Sequence, residues 1–284
     1  MISFLFRLFW RLVIFVGGGL VIYFASTVTY KYADEQVHFF VAAFLVYCLL
    51  AYVIVPLLFR LYHVVFKHDH IPVYATTGDG WASDPINLAI VCRDRRQLIA
   101  AMSQAGWYEA DHGSLKNLIR EAVAIIFNLP YPESPVSGLY FFNRRHDLAF
   151  QIPTNSRNSP RSRHHVRFWR LEEPQPDHHD HHHFAFWKDK LQQWISPQHE
   201  IWIGACTEDT SPFGIRYRTG TITHRIDPNP DKERDFIIKT LKNKKLVASV
   251  KNSHPGQVIK FRSQQAHRFI SDGSIKIVNL KAMK

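Results

Sequence analysis

The sequence predicts two N-terminal transmembrane helices followed by a mixed α/β (α+β) soluble domain. Three observations carry that prediction: two long uncharged apolar runs near the start, a strand followed by two helices after residue 84, and a series of short aromatic strands beyond them. Charge divides along the same line. The first 59 of 284 residues hold three Lys or Arg and two acidic side chains, which leaves 32 basic and 22 acidic residues for the rest.

Leu12–Tyr30 carries no charge over 19 residues and Val37–Phe59 none over 23. At about 1.5 Å per residue, either crosses the roughly 30 Å hydrocarbon layer as a helix. Residues 1–66 are therefore expected to form a membrane hairpin with spans at about 12–30 and 37–59. A signal peptide fits poorly, because no small-residue cleavage site is convincing and a longer apolar run follows at once. Gly17, Gly18 and Gly19 would allow close helix approach, and Pro56 would kink the second span. Arg7 and Arg11 precede the first span, and Arg60 and Lys67 follow the second, so both termini are expected on the cytoplasmic side of the membrane.

Residues 67–83 read as a juxtamembrane connector and 84–284 as the soluble domain. The run "INLAIVCR" is a buried strand, followed by a helix capped by Asp94 and stopped at Gly106. Ser114 caps a second helix that ends in the breaker-rich "PYPESPVSG". Short strands follow at "GLYFF", "DLAFQI", "HHVRFWRL", "EIWIGACT" and "GIRYRTGTITHRI". Asp231–Asn243 is a helix with an acidic first turn and a basic last one, and "KLVASVKN" and "IKIVNL" add strands.

Several function classes find no support. A basic domain beside a membrane is explained by anionic headgroups at about 1 kcal/mol per nearby cation, and no zinc-finger spacing or helix-turn-helix points to nucleic acid. Cys48, Cys92 and Cys206 are scattered and odd in number, which argues against a disulfide framework. No Gly-x-Ser-x-Gly elbow marks a serine hydrolase. The tract "DHHDHHH", Asp177–His183, sits in an insertion at about residues 174–183 and reads as a solvated polar loop without the supporting shell of a metal site.

The run "RHHVRFW" is more constrained. As a strand it places Arg163, His165, Arg167 and Trp169 on one face and His164, Val166 and Phe168 on the other. Two guanidinium groups around an imidazole suit an anion and a proton transfer. The bland reading solvates the arginines and packs the indole. Nearby segments add Arg144, Arg145, His146, Asp147 and Gln151, then Glu208 and Asp209, then His224, Asp227, Asp231, Glu233 and Asp235. The candidate catalytic set is His165, Arg163, Arg167, Asp147 and Arg144. The candidate ligands for a divalent metal ion are His224, Asp227, Asp209 and His164.

The pieces "DPINLAIV", "AAMSQAGW", "SPVSGLYFFNRRHDLAFQ", "SPRSRHHVRFW", "IWIGACTEDT" and "THRIDPNPDKERD", in this order over about Asp84 to Lys242, resemble the C-terminal domain of LssY-type proteins. The resemblance implies a bacterial membrane-associated protein, which makes the membrane of the two expected spans the bacterial inner (cytoplasmic) membrane, and points by association toward envelope lipid or phosphate chemistry. Its motif residues fall on Arg144, Asp147, Arg163, His164, His165, Arg167, Trp169, Asp209, His224 and Asp227, without chemical roles. Two expectations follow. The first is a membrane-anchored, cytoplasmic-side domain that binds an anionic envelope-related ligand, with membrane lipids, a phosphorylated ligand or a secretion-associated protein as partners. The alternative is a metal-assisted hydrolase of a phosphorylated envelope substrate.

Overall fold

The computed structural model describes residues 23, 27, 31, 39–65, 74–142, 144–171, 199–216, 219–253, 259–262 and 268–282. The expected His-rich insertion at 174–183 lies outside the described residues. Two compact units divide the chain, the first comprising Met1–His68 with Gly78–Gly80 and Arg216–Thr221.

In the first unit, helix α1 (Phe39–Leu49) runs through a π-helical turn (Leu50–Ile54) into α2 (Val55–Val65). Pro56 lacks the N–H that would continue the α-ladder, which accounts for the wide turn just before it. Phe40–Leu61 within this run is 22 residues long and apolar enough to cross a membrane. Phe40, Phe44, Leu45, Tyr52, Val53 and Leu57 all face outward, as on a span and unlike a soluble core helix.

This corrects the expectation of two spans. Among the described residues one helix qualifies, and the first expected span, residues 12–30, falls outside them except at Tyr23 and Thr27. Absence of charge over 19 residues is a property of composition and does not by itself make a span. The two-span inner-membrane placement, with both termini cytoplasmic, rested on the count of two and falls with it.

The second unit is a mixed α/β domain. Its strands are β1 (Tyr74–Thr77), β2 (Ala82–Cys92), β3 (Tyr108–Glu109), β4 (Leu139–Phe141), β5 (Arg144–Arg145), β6 (Leu148–Pro153), β7 (Arg163–Arg170), β8 (Glu200–Ile215), β9 (Ile222–Ile226), β10 (Val247–Ser253), β11 (Ile259–Arg262), β12 (Arg268–Ser271) and β13 (Ile275–Leu280). The main sheet runs β3-β6-β7-β8-β2-β1-β4-β5, with β9 on β8 and the β10–β13 pair joined to β2. β13 is parallel to β2, while β8 pairs antiparallel along the opposite edge of β2. β1 and the start of β2 occupy the stretch read as a connector.

Among the described residues, three helices complete the domain. Asp94 caps α3 (Arg95–Gln104), accepting from the Gln97 N–H at 2.8 Å, and Gly106 follows it with φ of 90°. Ser114 caps α4 (Leu115–Phe127), which ends at Asn128 in the left-handed region. Asn229 caps α5 (Pro230–Asn243), with Pro230 in its first turn.

The sheet is buried on both sides. Leu88, Ile90, Val166, Phe168 and Trp202 pack against Leu98 and Met102 of α3 and Ile237 and Leu241 of α5. On the other face Ile86, Ala89, Trp169, Ile203, Ala205 and Ile277 form a second core with Leu139 and Phe141. Gly204 lies opposite Phe168. A Cβ there would come within 2.9 Å of the Phe168 ring, so the strands meet closely only because the side chain is missing.

Candidate functional site

β7 passes through the middle of this double core, and its alternation decides the chemistry of each side. Its register with β8 sets Arg163 opposite Asp209, His164 opposite Glu208 and His165 opposite Thr207. Arg163, His165 and Arg167 thus share a face with Asp209 and Thr207, while His164 and Glu208 face the helix layer.

The arginine face is closed. Arg163 donates through Nε to Asp209 Oδ2 at 3.0 Å, and through Nη1 to Ser134 Oγ at 2.6 Å, Gln151 Oε1 at 2.9 Å and the Pro135 carbonyl. Its Nη2 lies 3.4 Å from Glu121 of α4. Arg167 donates to Asp84 Oδ2 at 2.9 Å and to the carbonyl and hydroxyl of Ser137. Both guanidinium groups are buried. Donors already satisfied by fixed internal acceptors leave little for an incoming anion.

His165 sits between them. Thr207 donates its one hydroxyl hydrogen to Asp84 Oδ2 at 2.9 Å and so accepts from His165 Nε2 at 2.8 Å. The other ring nitrogen, Nδ1, lies 3.6 Å from Asp209 and makes no hydrogen bond. Burial lowers the His165 pKa well below the usual histidine range despite the nearby Asp209 carboxylate, and Arg167 and Arg163 push the same way. Burial works against the ionised Asp209 carboxyl, yet the Arg163 guanidinium bonded to it outweighs that cost and holds its pKa below the usual carboxylate range. His224 joins the edge of this group, with Nδ1 4.0 Å from Asp209 and Nε2 donating to the Pro160 carbonyl at 3.0 Å.

The helix-side face is built differently. His164 Nδ1 meets Glu233 Oε2 at 2.7 Å, and its ring stacks on Phe236 with centroids 4.0 Å apart. Glu233 stands in the first turn of α5, where the helix dipole favours a carboxylate, and is 2% exposed. Its second oxygen, Oε1, is buried with no hydrogen-bond partner. Burial raises the Glu233 pKa to about 7, against the opposing pull of His164. Glu208 completes the group: one ligand atom from each of His164, Glu208 and Glu233 lies within 4.8 Å of the others. An imidazole and two carboxylates suit a borderline or hard divalent cation. Lys232 bridges Glu208 at 3.6 Å and Asp227 at 3.3 Å on the exposed rim.

The four residues expected as one metal set are therefore divided. Asp209 and His224 lie beside the closed arginine face, His164 faces the helix layer, and Asp227 is linked to the latter through Lys232. Arg144 and Asp147 form a third group at the far end of β7. They pair at 3.0 Å, Asp147 accepts from the Arg170 N–H at 2.8 Å, and Arg144 bonds the Arg170 carbonyl. Five residues of strand from His165 to Arg170 span roughly 16 Å, too far for a common site.

Asp84, Glu121, Ser134 and Thr207 join the buried network without a sequence signal. Each is a common polar residue in an ordinary segment, and only the sheet order brings it to β7. Glu208 and Glu233 were visible as neighbours of the motif but not as ligands. His146, half-buried, accepts weakly from the Leu139 N–H; desolvation, with Arg167 and Arg145 nearby, lowers its pKa to about 3.

No curated protein matches the chain, and no solved structure does. A family model described as the LssY C-terminus matches residues 68–275, which includes both faces of β7 and helices α3, α4 and α5. With well over half of its length in that match, the chain belongs to the LssY C-terminal family.

Proposed function

We propose that this chain is a membrane-anchored domain that binds a divalent metal ion through His164, Glu208 and Glu233 and, through that ion, an anionic envelope-related ligand. One observation carries the reading. Glu233 is buried with one carboxylate oxygen bonded to His164 and the other left without a partner. Burying a carboxylate half-satisfied is costly, and a cation between it, Glu208 and His164 removes the cost. Such perturbed carboxylates concentrate at functional sites.

The partly exposed His164 and Glu208 give the site an outer side, where three protein ligands leave coordination positions for an oxyanion. The Lys232 ammonium stands at the same rim. The hydrogen shared by His164 Nδ1 and Glu233 Oε2 must leave before both atoms hold the ion, so binding releases a proton near neutral pH.

Metal content of purified full-length chain tests the assignment. After chelator treatment and dialysis against Zn²⁺ or Mn²⁺, stoichiometric metal is expected, retained in His224→Ala and after deletion of Asp177–His183, and lost in Glu233→Gln and His164→Ala. Metal that disappears with the deletion, or that survives Glu233→Gln, would overturn it.

A further inference from the structure

Helix α4 carries its apolar residues on the wrong side for a core. Leu115, Leu118, Ile119, Val123, Ile126 and Phe127 recur at the three- and four-residue spacing of one helical face. All six are exposed, Leu115 by 76% and Phe127 by 66%. The narrower opposite face holds the helix to the domain: Ala124 is buried, and Glu121 turns inward to Arg163. Arg161 fastens the last turn, donating to the carbonyls of Ile125 at 2.6 Å and Ile126 at 2.9 Å.

The charges on α4 have a direction as well. Its one acidic residue, Glu121, is drawn into the interior. Lys116 and Arg120 lie along one margin of the exposed stripe, both solvent-exposed, with the Arg120 guanidinium 3.8 Å over the Tyr131 ring. The outer surface of the helix is thus apolar along its middle and positive at its rim. A second copy of the helix would bring like charges together at that rim. An anionic bilayer surface offers acyl chains to the stripe and headgroup phosphates to the cations. The same chain holds Phe40–Leu61, a helix long and apolar enough to cross a membrane, which favours a bilayer over a protein as the occupant of the stripe.

We infer that α4 lies in the interface of an anionic membrane, its leucine, isoleucine and phenylalanine side chains among the upper acyl chains and Lys116 and Arg120 at the headgroups. The inference does not depend on the metal centre. It gives the domain a lipid-facing element separate from its span and from His164, Glu208 and Glu233.

Depth-dependent quenching tests it on the full chain in nanodiscs, with chelator present to keep the metal centre out of the result. In a Cys48→Ala background, a fluorophore is placed at Ile119→Cys, at Phe127→Cys and, as an outward-facing control on α5, at Lys239→Cys. Phosphatidylcholine labelled with nitroxide high on the acyl chain serves as quencher. Discs with phosphatidylglycerol should quench the two α4 labels severalfold more than the α5 label. Lys116→Glu should reduce that excess, as should discs of phosphatidylcholine alone. Equal quenching at all three positions would overturn the inference.

Discussion

The two faces of β7 hold similar residues and treat them in opposite ways. On one, Arg163, His165 and Arg167 are enclosed by Asp209, Gln151, Ser134, Thr207 and Asp84, and almost every donor has an acceptor. On the other, a single histidine meets a glutamate whose remaining oxygen has nothing to bond. The richer face is the more nearly complete one, with His165 Nδ1 its single buried atom left without a hydrogen bond among the described residues. Chemistry is better sought where a buried polar set is short of a partner than where it has the most charges. The arginine face then serves as the frame that fixes β7 against β8, and so fixes His164 against Glu208.

The largest expected effect comes from breaking that frame. Arg163→Ala leaves Asp209 and Gln151 buried, and Glu121 partly buried, without their cation, and removing one partner of a buried ion pair costs about 3–5 kcal/mol. Urea unfolding at neutral pH should show that loss. Arg163→Lys should recover little of it, because an ammonium cannot span the separate acceptors a guanidinium reaches. A small loss would mean that the face is open to solvent and free to bind a ligand.

The helix-side face predicts a dependence on pH instead. Glu233 has its folded-state pKa raised to about 7 from an ordinary carboxylate value near 4.5. The folded state therefore holds a proton that the unfolded chain has released, and stability falls as pH rises between those two values. The cost is absent below about 4.5 and complete above about 7, where it amounts to about 3 kcal/mol. Urea midpoints measured with chelator present should fall from pH 5 to pH 8 in the wild type. In Glu233→Gln the Glu233 contribution to that slope should vanish, and saturating metal should flatten the wild-type slope by holding the carboxylate ionised. An unchanged slope in Glu233→Gln would remove the strain from the metal reading.

What the sequence made legible follows from how local each signal is. Caps at Asp94 and Ser114 depend on a few adjacent residues and are found where the composition places them. The facing of Arg163, His165, Arg167 and Trp169 depends only on strand alternation and is likewise present. Partnerships depend on sheet order. Asp84 reaches Arg167 because β2 and β7 flank β8, and no spacing in the chain announces that. The same holds for His164 and Glu233, 69 positions apart. The apolar stripe of α4 was legible as a helix, but its exposure was not: an amphipathic pattern states which residues share a side, and only the surrounding structure decides whether that side meets core or solvent.

The smallest expected effect tests whether proximity in sequence was misleading. Asp147 and Arg144 lie close to the His–Arg strand in the chain and carry the same kinds of charge. They nonetheless lock the far end of β7, half-exposed, by an ion pair and bonds to the Arg170 backbone. Screened pairs of this kind contribute roughly 0–1 kcal/mol, with a comparable sum for the lost backbone bond. Asp147→Asn, which keeps an acceptor for the Arg170 N–H, should lower the urea midpoint only slightly and leave metal stoichiometry unchanged. Loss of metal in that variant would place a ligand at the wrong end of the strand, and the distinction between a complete face and an incomplete one would no longer locate the site.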